Sequence, residues 1–165
     1  MIETIEFKGE VYPKFQSTGG ASFYCRPFAL SVLSGEGLDI GFGKEEWKYP
    51  DAIGVDLTLN NGYHAYNLPE GKFDYVHSSH LLEHLPDWVG ALNLWSESIK
   101  SGGVLFLYLP DKSQRYWNPF NNRKHMSCFY PEIIKQYLVD SGMYKNIFVS
   151  GVDAYNSFTA FAEKI

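Results

Sequence analysis

Two short apolar runs, Gly37-Leu38-Asp39-Ile40-Gly41-Phe42-Gly43 and Ala52-Ile53-Gly54-Val55-Asp56, constrain the fold more than any other feature of the chain. The first reads as a strand, Leu38–Gly41, entering a Gly-x-Gly turn. The second reads as a strand, Ile53–Leu57, carrying a carboxylate at its end. A glycine pair where a strand ends lets the backbone turn sharply and lets a ligand approach the main chain. An acid ending the neighbouring strand can accept both hydroxyls of a ribose, so the pair describes a nucleoside-binding edge on a parallel sheet. Only eight residues, Lys44 to Asp51, separate Gly43 from Ala52. A parallel crossover usually needs about a dozen or more. The first crossover helix is therefore cut to about one turn or lost.

The later chain supplies the rest of an open α/β sheet. Ile5 and Phe7 alternate with charged residues, which suggests an edge strand or extended arm within residues 1–25. Pro27 suits the start of a helix through Phe28–Leu33, stopped by Ser34-Gly35. Tyr63–Tyr66 reads as a short third strand after the Asn60-Asn61-Gly62 turn, and Phe73–Ser78 as a central fourth. Pro86 and Asp87 open a helix to about Lys100, with Trp88, Leu92, Trp95 and Ile99 on one face and Gly102-Gly103 as its stop. Val104–Leu109 is a continuous apolar run, as in a strand buried on both faces. Pro131–Val139 is a helix, and Tyr144–Ser150 and Ser157–Glu163 close the sheet.

The ordered series Asp39-Ile40-Gly41-Phe42-Gly43, Asp56, Leu68-Pro69, Phe73-Asp74-Tyr75-Val76, Leu82-Glu83-His84-Leu85 and Ser101-Gly102-Gly103-Val104-Leu105 resembles the short motifs of class I S-adenosylmethionine-dependent methyltransferases of the small-molecule type. The resemblance runs from about Gly37 to the C-terminus. It implies a Rossmann-like methyltransferase fold with a mostly parallel open sheet and an antiparallel last strand, while the length of 165 residues suits one domain, residues 1–165. It implies S-adenosylmethionine as cofactor. By the same resemblance Asp56 binds ribose, Asp39 supports the glycine loop or reaches the amino-acid part of the cofactor, and Gly41, Gly43 and Ser79 complete the site. The position that in the family carries an adenine-binding Asp is His64, whose neutral ring can accept one hydrogen bond or stack on a purine.

In an open parallel sheet, ligands bind outside the C-terminal strand ends. That edge gathers the Ser79–His84 segment. Hydroxyl methylation needs a base near neutrality, and His84, His80 and His125 are the candidates. His80 and His84 stand i and i+4, a spacing that can ligate metal. The set shows no obvious further ligand, so no metal is assigned. The segment 111–130 is long for a connection and mixes aromatic with basic residues. Tyr116, Trp117, Arg123 and Lys124 fit an acceptor-binding lid, since flat aromatics suit sugars and cations suit phosphate or carboxylate.

With 14 basic and 19 acidic residues the net charge is 14 − 19 = −5, and no basic run marks a nucleic-acid footprint. The first residues lack the pattern of a signal peptide, and the longest apolar run is too short to span a bilayer. Cys25 and Cys128 read as reduced thiols of a cytosolic protein. The sequence thus points to methyl transfer onto a small acceptor, such as a sugar hydroxyl in polysaccharide biosynthesis. The alternative is a non-catalytic methyltransferase-like scaffold in that process, which the short link, the missing third glycine and His64 favour. A nicotinamide-dinucleotide oxidoreductase fits poorly, because Glu46 stands where its third glycine belongs.

Overall fold

The structure is a computed structural model that describes residues 2–121 and 124–165. The glycine-bearing run forms β3 (Gly37–Ile40), buried along its whole length. It pairs in parallel with β4 (Ile53–Val55) on one side and β5 (Phe73–Ser79) on the other. Next to β5 lies β6 (Ile99–Pro110), also parallel. β8 (Ser157–Lys164) then runs antiparallel between β6 and β7 (Tyr144–Val149), giving the order β4-β3-β5-β6-β8-β7. The expected mixed sheet, with its antiparallel last strand, is the one observed.

Helices cover both faces. Alternation along the strands sends Leu38, Ile40, Val76, Leu105 and Leu107 toward α2 (Trp88–Ser98) and α3 (Pro131–Asp140). It sends Tyr75, Phe106 and Tyr108 toward α1 (Ser22–Val32), where Cys25 and Ala29 meet them. Asp87 starts α2 by accepting the Gly90 N–H at 2.9 Å. Trp95, fully buried, donates its indole N–H to the Ala65 carbonyl at 2.8 Å.

The Lys44–Asp51 link contains a single 3-10 turn, Glu45–Trp47, in place of a crossover helix. Side chains hold it down. Ser22 Oγ and Arg26 Nη2 both donate to the Trp47 carbonyl, at 2.8 and 3.0 Å, and Arg26 also reaches the Lys48 carbonyl. The Asp39 carboxylate accepts the Tyr49 N–H at 2.6 Å and the His77 Nδ1–H at 2.7 Å, all within the buried interior.

Several local expectations are corrected. Tyr63–Tyr66 forms no strand; His64 and Asn67 exchange backbone hydrogen bonds across a tight turn. The Ala65 carbonyl that a strand would have offered to a neighbour is taken by Trp95. α1 starts at Ser22, not near Pro27, which sits in its interior. The ties from Ser22 and Arg26 to the link offset the hydrogen bond that proline removes. Gly102-Gly103 does not simply end α2. It lies inside β6, where a side chain on Gly103 would sit 2.7 Å from the Asp74 carbonyl. The N-terminal arm is a hairpin, β1 (Thr4–Phe7) with β2 (Glu10–Pro13).

Two measurements check this packing. Trp95→Ala should lower unfolding free energy by about 3–5 kcal/mol in urea titration, through cavity formation and an unpaired Ala65 carbonyl. Burial pushes the Cys25 thiol up to about 12, whereas Cys128 is exposed. A thiol-specific disulfide reagent should therefore label one cysteine in the native chain and two after denaturation.

Candidate active site

A cavity of about 250 Å3 opens at the C-terminal ends of β3 and β5. Gly41, Phe42 and Gly43 form one wall. Gly41 and Gly43 have φ of +79° and +74°, conformations that glycine adopts without strain. A side chain on Gly41 would fall 2.4 Å from Leu81 Cδ2. Phe42 itself is buried and packs against Gly54, and Tyr49 meets Tyr75 edge-on and His77 at a tilt. Trp47 lines the cavity beside Gly43.

Residues 18–22 make the opposite wall, a contribution the sequence reading missed. The Ser17-Thr18-Gly19-Gly20 stretch reads as a simple turn in sequence. Its closeness to Trp47 explains the glycine: a side chain on Gly19 would lie 2.2 Å from the indole ring.

The remaining lining comes from Ser79, His80, Glu83, His84, Trp117, Lys124 and His125, together with Asp39 at the base of the glycine wall. The structure thus brings together most of the residues singled out from sequence. Asp56 and His64 do not line the cavity. Asp56 stands beside the glycine turn, where one carboxylate oxygen accepts the Gly43 N–H at 2.9 Å and the other accepts from the Thr58 backbone and hydroxyl. His64 Nδ1 accepts the Tyr66 N–H within its own turn. Tyr116 packs on Phe7 and Tyr12 of the N-terminal hairpin, with ring centroids 5.1 and 5.6 Å away. Arg123 lies outside the described residues.

Glu83 is the electrostatic centre. Its backbone carbonyl anchors the loop by accepting the Met126 and Ser127 N–H groups. Its side chain is fully buried, and neither carboxylate oxygen has a hydrogen-bond partner among the described residues. Three imidazoles face one oxygen: His84 Nε2 and His125 Nε2 at 3.7 Å, and His80 Nδ1 at 4.0 Å. These separations exceed hydrogen-bond length. Burial pushes the Glu83 carboxyl up to about 8 and pulls His80 and His125 down to about 3; His84 is lowered for the same reason. The imidazoles are therefore neutral at pH 7.

Neighbours fix their tautomers. His84 Nδ1 must donate to the Lys124 carbonyl, 2.7 Å away, which leaves Nε2 with its lone pair. Ser157 Oγ donates to the Tyr155 carbonyl, so His80 Nε2 donates to Ser157 Oγ at 3.1 Å and Nδ1 keeps the free pair. His80 holds this pose at φ +51°, a left-handed conformation that costs a non-glycine residue about 1–2 kcal/mol.

The unpaired Ser79 Oγ, the unpaired Glu83 oxygens and the glycine wall fit a polar ligand bound close to the main chain. A methyltransferase-domain family model matches residues 18–144. No curated protein matches the sequence. Solved structures share its fold. A SAM-dependent methyltransferase from Thermotoga maritima superposes with a TM-score of 0.69 at 16% identity, covering 92% of each chain. One from Archaeoglobus fulgidus gives 0.64 at 18% identity, over 87% of this chain and 92% of its own. Human N-acetylserotonin methyltransferase, in complex with SAM, gives 0.61 at 16% identity, over 90% and 52%. The chain belongs to the class I methyltransferase-domain family, with S-adenosylmethionine as its cofactor.

Proposed function

We propose that this chain methylates a hydroxyl of a small acceptor, a sugar or glycan precursor of polysaccharide synthesis in the cytosol. The observation that carries the reading is the cavity itself. A scaffold derived from this fold would fill it with nearby aromatics, yet Tyr49 packs in the core, Phe42 lies against Gly54, and Trp47 serves as a wall.

When bound, S-adenosylmethionine supplies a sulfonium methyl group, which passes to an in-line oxygen and leaves the thioether. The chain's part is placement. Gly41 and Gly43 allow close backbone approach, and Asp56, beside the turn, meets the ribose by exchanging its internal partners for the two hydroxyls. Asp56 stands just outside the cavity beside Gly43, where it would hold the nucleoside end of the cofactor. Trp117 offers its ring to an acceptor from the opposite side, with the Lys124 ammonium 4.7 Å from the ring centre. His80, oriented by Ser157, keeps the Nδ1 lone pair free to accept a hydrogen bond from the acceptor hydroxyl and so to orient it. Proximity and orientation supply most of the acceleration. The two free thiols suit a reducing compartment.

The scaffold alternative draws on one observation: both Asp56 oxygens already have partners in the chain. Calorimetry separates the two. S-adenosylmethionine and S-adenosylhomocysteine should bind at about micromolar Kd, near −8 kcal/mol. Asp56→Ala should weaken both at least about tenfold. Absence of binding to the folded chain would favour the scaffold. With a sugar acceptor in hand, Trp117→Ala should raise the acceptor KM while leaving cofactor affinity unchanged.

A further inference from the structure

We propose that Glu83, His84 and His125 form a binding site for one divalent transition-metal ion, zinc being the ion that best suits the donor set. The pair His80 and His84 looks incomplete in sequence because its partner lies 41 positions beyond His84, across the connection after β6. Folding supplies that partner. One donor atom from each of Glu83, His84 and His125 lies within 4.8 Å of the others. The two Nε2 atoms each stand 3.7 Å from the same Glu83 oxygen. Ligand bonds of about 2.0–2.2 Å place tetrahedral donors roughly 3.3–3.6 Å apart, so each Glu83–imidazole separation needs to close by only a few tenths of an ångström.

Three further observations point to an ion. Glu83 is fully buried with both side-chain oxygens unpartnered, a condition costing several kcal/mol that a cation removes. His84 donates Nδ1–H to the Lys124 carbonyl, the outer support that orients a metal-ligating imidazole and bares its Nε2. The Met126 and Ser127 N–H groups clasp the Glu83 carbonyl, holding the ligand-bearing turn against the loop that carries His125. Two imidazoles and one carboxylate favour zinc, cobalt or manganese over magnesium or calcium, which take all-oxygen sets. Three protein ligands leave a fourth position open, and all three residues line the cavity.

Metal binding itself does not depend on the methyl-transfer reading. Its use does: at the open position the ion would supply Lewis acidity to an acceptor hydroxyl, whose proton would leave to water through the open cavity.

The test is cobalt(II) titration of the chelator-treated chain carrying Cys128→Ser, which removes the exposed thiol. One ion per chain should bind with visible ligand-field absorption and be displaced by zinc. His84→Ala, His125→Ala and Glu83→Gln should each weaken binding at least about tenfold. Circular dichroism checks each variant's fold; Glu83→Gln keeps the shape of the buried side chain and carries the test should an alanine variant unfold. Failure of the folded chain to retain cobalt or zinc, or binding that all three variants leave unchanged, overturns the site. Binding of magnesium alone overturns the choice of ion. Calorimetry of S-adenosylmethionine on the metal-free chain reads the cofactor site separately, so either proposal can fail without the other.

Discussion

The buried Asp39 carboxylate is the tie on which the cofactor edge depends. A full crossover helix would satisfy its own backbone and pack by its own apolar face. An eight-residue link can do neither, so its polar groups must find partners in the rest of the chain. Asp39 reaches out of β3 to take the Tyr49 N–H, and His77 from β5 braces the same carboxylate. Tyr49 then enters the core shared by α1 and the sheet. Arg26 and Ser22 take the Trp47 and Lys48 carbonyls immediately before it. What looks in sequence like a lost element is a loop fastened across Trp47–Tyr49, and the fastening sets Trp47 against the glycine turn.

Asp39 and Glu83, two buried carboxyl groups lining one cavity, sit in contrasting environments. Around Asp39, every oxygen of the carboxylate has a donor, as a buried charge requires. Around Glu83, a carboxylate of equal burial has none, although three imidazoles surround it. The first is architecture. The second is a cluster whose energy is lowered only by something added, and the left-handed backbone at His80 marks the same spot as strained. Both kinds of cost collect where strands end and ligands bind.

Sequence made the scaffold legible because its signals are local. Glycines with positive φ, acids at strand ends and the continuous apolar run of β6 report on their own neighbourhoods. The eight-residue spacing alone told that the crossover helix was gone. The site was legible in part: Gly41, Gly43, Ser79, the three histidines, Trp117 and Lys124 do meet at one cavity. What stayed hidden depended on distant partners. Nothing near Tyr63–Tyr66 says that Trp95 will claim the Ala65 carbonyl, and nothing near Pro27 says that the Trp47 and Lys48 carbonyls will hold α1 together past it. Tyr116 looked like a stacking platform, but the hairpin that absorbs it lies over 100 positions away.

The placement of Tyr116 bears on how an acceptor side could be built without a separate lid. Tyr116 packs against the N-terminal hairpin, while Gln16, just past the hairpin, accepts the Tyr116 N–H and donates to Asn156. The next residue, Trp117, turns toward the cavity and stacks near His125. The chain from 18 to 22 leaves the same hairpin region to form the far wall. One hydrogen-bonded joint thus positions two parts of the cavity lining, Trp117 and the 18–22 stretch. A side chain held by such a joint loses little further entropy on binding, which is how a small protein can present a rigid surface without a second domain.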